Sequence, residues 1–276
     1  MPTASDRLKH VTLKIVRAKE HASSLESTLR VFLDSAPYKI GTKRDPETRK
    51  LAYYVTSIET IPDMLSLITG DAIQNLMGAL DHLAYQIVCS DTADNPPNPN
   101  WIYFPIADDT TKYEDKKRKK INGALEETFD AIDKVKPYKG GNDLLWALHR
   151  INNIEKHRLL LTVGSQAAGM HIGQWVANEF GRSHPCETFG PFAEMKSMFE
   201  SMNVYLMPAN KGFPLKAGSE LYIGAVDEEP NPKLEFRFTI VLNEPGIIEG
   251  KPLLETVNQF ISLVEGIVME LTPLLR

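Results

Sequence analysis

The stretch Pro62–Cys89, PDMLSLITGDAIQNLMGALDHLAYQIVC, decides the reading of the fold. Leu65, Ile68, Ala72, Leu76, Ala79, Leu83 and Ile87 recur at helical spacing, and Pro62 is tolerated in the first turn. No Lys, Arg or Glu occurs in it. Its main polar positions are Asp71, Gln74, Asn75, Asp81, His82 and Gln86. At about 100° per residue, Asp71, Asn75, His82 and Gln86 share a stripe about 60° wide. A solvated face is usually filled with Lys and Glu, which are good helix formers and cheap to hydrate. A stripe of short, directed hydrogen-bonding groups predicts a face turned toward another element or a site. The bland alternative is that these groups satisfy one another inside a bundle.

Working outward, Val11, Ile15, Ala18, Ala22, Leu25, Leu29 and Phe32 form a heptad-like seam on a long helix from about 6 to 34. Two short strands, 38–41 and 51–58, follow as a hairpin through the polar turn at Arg44–Glu47. After the loop 91–99 comes Trp101-Ile-Tyr-Phe-Pro105, read as an extended apolar anchor, then a helical stretch from about 111 to 135. Asn142 or Asp143 caps a further helix predicted to reach about Val163. Beyond Gly164 strands are expected around 205–206, 221–226 and, most clearly, 234–242, before a last amphipathic helix from about Pro252. The expected domains are a helical bundle over 1–164, with a hairpin insertion near 38–59, and a β-containing region over 165–276. The final helix of that region is expected to pack back on the bundle.

Composition narrows the function. The 276 residues carry 31 Lys+Arg against 36 Asp+Glu, a net charge of −5, which argues against a generic duplex-DNA binder but leaves room for a local RNA site. Cys89 and Cys186 have no CxxC partner, so neither a disulfide framework nor a cysteine-rich zinc site is expected. The opening residues lack a signal-peptide pattern, and no apolar run approaches the roughly 20 residues of a membrane span. A cytoplasmic protein is the expectation.

The helix Trp146–Leu161 carries Arg150, Asn153 and His157, with His157 about 20° and Asn153 about 60° from Arg150 on a helical wheel. Trp146, Ile154, Leu160 and Leu161 fall on that side, so the three polar residues are expected on an apolar, inward face. A buried guanidinium there requires an anion: Asp71, Asp81, a partner subunit or a bound phosphate. The structural alternative is an Arg–Asp clamp between helices.

Arg150 and His157, with six residues between them, match the Arg-x4–6-His motif, and on it the chain resembles the HEPN superfamily over about residues 60–165. Gly70–His82 and Asn152–Arg158 also resemble a recurrent pattern of uncharacterised bacterial proteins. The chain departs from the family in Ile151, where a polar residue is frequent, and in its C-terminal α/β extension. The resemblance implies a mainly α, HEPN-like antiparallel helical bundle, here with a small C-terminal antiparallel sheet, and RNA as the substrate class. It implies a homodimer with a composite site and metal-independent endoribonuclease activity leaving 2′,3′-cyclic phosphates, in defence or stress, with an antitoxin as a further partner. His157 would move the proton, Arg150 hold the phosphate and Asn153 orient the imidazole. Asp71, Asn75, Asp81, His82 and Arg158 would support the site or bind substrate. No cofactor is expected.

Two other readings stand beside it. One is a metal-dependent bundle enzyme using Asp71, Asp81, His82 and His157, although Glu155 and His157 diverge by about 200° on a helix. The other is a non-catalytic, antitoxin-like binding dimer. The basic run Lys116–Lys120 is read as a solvated face, Trp101, Tyr103 and Phe104 as loop packing, and His184-Pro-Cys186 as a loop. No nucleophile elbow, phosphate loop or dinucleotide fingerprint is present.

Overall fold

The structure, a computed structural model, describes residues 2–157, 161–171, 194–195, 198, 205–206, 214–231 and 234–276. The described residues form six α-helices: α1 (Ala4–Asp34), α2 (Asp63–Asp91), α3 (Thr110–Lys120), α4 (Glu126–Val135), α5 (Asp143–His157) and α6 (Leu253–Leu271). The strands are β1 (Tyr38–Arg44), β2 (Lys50–Ile58), β3 (Val163–His171), β4 (Tyr205–Leu206), β5 (Glu220–Val226), β6 (Phe236–Glu244) and β7 (Ile248–Pro252). None of the described helices is long and apolar enough to cross a membrane.

The chain divides into two compact units that interleave along the sequence, where the sequence reading places one boundary at 164/165. The first comprises Met1–Arg30, Pro62–Val163 and Leu242–Arg276; the second comprises Val31–Ile61 and Gly164–Val241. In the first unit α2 is the hub. It buries a broad apolar face, with Leu65, Ile73, Leu76, Leu80, Leu83 and Ile87 fully buried, leaves Leu67, Asp71, Gln74 and His82 exposed, and packs against α5 and α6. The α1 seam from Val11 to Leu29 is buried as its heptad spacing predicts. Arg7 of α1, itself buried, donates to Asp94 (2.7 Å) and Gln86 (3.3 Å). Asn142 caps α5 by accepting from the Leu145 amide at 3.1 Å.

In the second unit β2 lies between β1 and β5, antiparallel to both. Tyr38 and Val55 of the hairpin bury themselves with Ala167 and Leu215. The Tyr38 ring stacks on Phe238 at 4.0 Å, and its hydroxyl donates to Ser165 at 3.0 Å. The other sheet has the order β4-β3-β6-β7.

The fold is therefore α+β, and this corrects the expected mainly α, HEPN-like bundle. The finding that overturns the bundle is the pairing of β2 with β5 from the C-terminal half. A two-stranded hairpin cannot cover its own apolar face, and here it is completed by strands and core residues distant in sequence. The predicted helix over 111–135 is two helices, separated where Gly123 adopts φ +99°, in the left-handed region. The predicted extension of α5 to Val163 also fails, since Leu161 and Thr162 are non-helical and β3 begins at Val163.

Two glycines test the packing in opposite directions. A Cβ on Gly70 of α2 would lie 2.8 Å from Glu155 Cγ on α5, whereas one on Gly266 of α6 would meet nothing within 4 Å. Gly266→Ala is expected to stabilise the protein by about 0.5–1 kcal/mol through helix propensity. Gly70→Ala is expected to destabilise it by about 1–3 kcal/mol, the cost of overpacking outweighing the same propensity gain. Urea midpoints of the two variants check both signs, and Glu155→Ala should relieve the Gly70→Ala defect.

Candidate functional site

Within the first unit, a cleft of about 250 Å³ opens between α2, α3, α5 and the segment Tyr103–Ile106. Each helix contributes residues at helical spacing. Met77 and Asp81 are one turn apart on α2, Lys116 and Lys120 one turn apart on α3. On α5, His149, Asn152, Asn153 and Lys156 follow an i, i+3, i+4, i+7 stripe. Two backbone hydrogen bonds hold the fourth wall in place: the Tyr103 amide donates to Lys120 O at 3.1 Å, and the Phe104 amide to Asp81 Oδ1 at 3.0 Å. Phe104 and Ile106 are buried behind it.

The floor is polar and incompletely satisfied. Asn153 Nδ2 lies 3.1 Å from His149 Nε2. Burial pushes the His149 imidazole down to about 4, and the nearby charges of Arg150 and Lys156 act in the same direction, so the ring is neutral at pH 7. With Nε2 accepting from the Asn153 amide, the assignment that this hydrogen-bond network favours, the ring proton resides on Nδ1. His149 Nδ1 is buried and has no hydrogen-bond partner. The same is true of Oδ1 of Asn152, a residue only 2% exposed. Each such orphan costs about 1–3 kcal/mol. Burial also raises the Asp81 carboxyl, opposed by the Phe104 amide and by the positive charges of Lys156 and Lys120.

At the rim stand Lys116, Lys120 and Lys156, with the Lys120 ammonium 4.4 Å from the centre of the Tyr103 ring. Tyr103 is 42% exposed, and Trp101, two residues earlier, 71%.

Of the residues selected from sequence, Asn153 and Asp81 line this cleft. Arg150 does not lie on an inward face. Its side chain is 45% exposed, and its ion pair with Asp108 is long, at 3.9 Å. The buried ridge of α5 is Leu145, Leu148, Ile151 and Asn152, nearly opposite Arg150. Counting Leu161 on the same helix misplaces that ridge. Leu161 is non-helical, and its carbonyl accepts from Ser66 Oγ at 2.9 Å. His157 is the last residue of α5, and its side chain lies outside what is described. Arg158, His184 and Cys186 lie outside the described residues altogether.

The α2 stripe does not form one site. Asp71 is exposed, and Asn75 turns back to donate to Asp71 O at 2.8 Å. His82 is exposed, its ring edge-on to His10 at 6.3 Å, and Gln86 receives Arg7. Among the described residues no three His, Cys, Asp or Glu side chains are placed to hold a metal ion.

His149, Asn152, Lys116, Lys120, Lys156 and Tyr103 escape the sequence reading. The signal for α5 was its stripe at i, i+3, i+4, i+7, visible once His149 rather than Arg150 is taken as the origin. For α3 it was the one-turn spacing of Lys116 and Lys120, hidden in a five-residue basic run. Within that run Lys117 is buried and paired with Asp133 at 2.8 Å.

Comparison with protein-family models, with curated proteins and with solved structures finds no match to this chain.

The neutral, buried His149 makes stability depend on pH. Its folded-state value of about 4 lies below the ordinary 6.5, so between these values the unfolded chain binds the proton more readily. The stabilisation is complete above pH 6.5 and is lost as pH falls toward 4, by up to about 3 kcal/mol. His149→Gln is expected to flatten that part of the stability–pH curve, as measured by denaturant midpoints from pH 4 to 8.

Proposed function

We propose that this chain binds single-stranded RNA, holding one nucleotide in the cleft between α2, α3 and α5. The observation that carries the reading is the rim of three lysines, Lys116, Lys120 and Lys156, over a polar cleft floor that includes Asp81 and Asn153. Such a floor is stabilised by a ligand that brings hydrogen-bonding groups, and such a rim by a ligand that brings negative charge. A nucleotide brings both. Trp101 and Tyr103 supply exposed aromatic faces beside the rim, on which bases of a single strand stack. A duplex hides its base edges from a cleft this small, which favours the single strand. Asp81 spends Oδ1 on the Phe104 amide, and its carboxylate offers an acceptor for a ribose 2′-hydroxyl that deoxyribose lacks. The overall charge of −5 gives no general field for nucleic acid, so the attraction is local to the rim.

Anisotropy of a labelled eight-nucleotide RNA in EDTA tests this. Binding is expected at low salt, weaker for DNA of the same sequence, with log K falling by about 0.7 per phosphate contact against log salt. Lys120→Ala and Lys156→Ala should each weaken binding and make that slope shallower. Absence of RNA binding by the parent at low salt overturns the reading.

A second reading, metal-independent cleavage of RNA by Arg150, Asn153 and His157, is favoured by one observation. Arg150 is open to solvent on a long ion pair, which leaves its guanidinium available to a phosphate. The same RNA, incubated in EDTA and analysed for 2′,3′-cyclic phosphate ends, decides it. Cleavage lost in Arg150→Ala with binding retained supports the nuclease. RNA that is bound and intact rejects it.

A further inference from the structure

Resting on the RNA reading, we infer that the strand lies lengthwise between α3 and α5, with consecutive phosphates on Lys120 and Lys116, and that Asp108 ends this track before Arg150. The two helices run side by side in the same direction. At one end Asp108, just before α3, accepts from Trp146 Nε1 of α5 at 3.3 Å and faces Arg150 at 3.9 Å. At the other end Tyr103 and Phe104 join the backbone of Lys120 to Asp81, and the charges of Lys120 and Lys156 both reach that carboxyl. Lys112, Lys116 and Lys120 are one turn apart along α3. Each step rises about 6 Å, close to the phosphate repeat of an extended strand.

The track is cationic at one end and neutral at the other. Among the described residues Lys116, Lys120 and Lys156 have no ion pair, so the charge they bring to the cleft is open to phosphate. Lys112, the next step along α3, is held by Asp108 at 3.3 Å and Asp109 at 3.6 Å. Arg150, level with it on α5, faces the same Asp108. The Trp146 N–H and the ammonium of Lys112 hold the Asp108 carboxyl below the usual carboxylate range, so it is negative at neutral pH. Two cations there answer two carboxylates, and a third phosphate would meet the charge of Asp108 as well as that of Arg150. Asp108 therefore sets how many nucleotides the site holds. Asp108→Asn keeps an acceptor for Trp146 and removes the charge.

The experiment measures affinities of the full chain for oligouridylates of two to eight nucleotides with hydroxyl ends, over a range of salt. Variants Asp108→Asn and Asp108→Asn/Arg150→Ala are measured beside the parent, with circular dichroism checking that each is folded. The parent's affinity is expected to rise up to three nucleotides and then level off, once the extra registers of a longer strand are counted. Its log K should fall against log salt with a slope of about 1.4, the value for two neutralised phosphates. In Asp108→Asn, strands of four or more nucleotides should bind about five- to tenfold more tightly at low salt, and the slope should steepen by about 0.7, while the dinucleotide binds as before. The double variant should lose that gain.

An affinity of the parent that keeps rising beyond three nucleotides overturns the inference while leaving RNA binding intact. So does an Asp108→Asn variant that gains nothing, or that gains as much for the dinucleotide as for the longer strands, which is a general effect of charge. A gain that survives in the double variant also overturns it, since Arg150 is then not the group that Asp108 withholds. Failure of the parent to bind any strand removes the RNA reading itself.

Discussion

The first unit depends on the burial of the broad apolar face of α2. A face covering more than half of the helix circumference cannot be shielded by one neighbour, so several elements must enclose it. Each large apolar side chain fully removed from water contributes about 1.5–3 kcal/mol, and α2 carries six such residues, from Leu65 to Ile87. This is why α5 and α6, separated in sequence by the whole of the second unit's C-terminal segment, converge on the same helix.

Three polar side chains of α2 hold connecting segments. Ser66 donates to the Leu161 carbonyl, just before β3 begins. Asp81 accepts the Phe104 amide and fixes the cleft wall. Asp91 accepts from the Leu125 amide and the Thr128 hydroxyl, tying down the start of α4. Each is a side chain reaching a loop or helix end whose backbone would otherwise lack a partner. The cleft departs from this economy. Around it, His149 and Asn152 keep buried atoms unsatisfied, as does Arg7 at Nε on α1.

Much of the local structure was legible in the residues. The α1 seam, the helical span of α2, the 38–58 hairpin, the Asn142 cap and the β6 strand follow from spacing, capping chemistry and alternation, all of which act over a few residues. The site was only partly legible. Asp81 and Asn153 were visible as polar residues out of keeping with a solvated helix, but the cleft also needs Lys116 and Lys120, which resemble any exposed basic run. Arg150 shows the opposite error: a helix extrapolated to about Val163 brought Leu161 onto its wheel and turned the apparent buried face toward Arg150.

Sequence by itself determined that α1, α2 and α6 are helices and that the 38–58 hairpin and β6 are strands, because burial patterns are written in side-chain periodicity along one element. Only the tertiary structure decided that β5 completes the hairpin sheet, that α3 and α5 stand across a cleft, and that His149 and Asn152 rather than Arg150 face into it. Strand partnership and the rotation of one helix toward another are set by contacts between residues far apart in the chain. Those contacts leave no periodic trace in either segment alone.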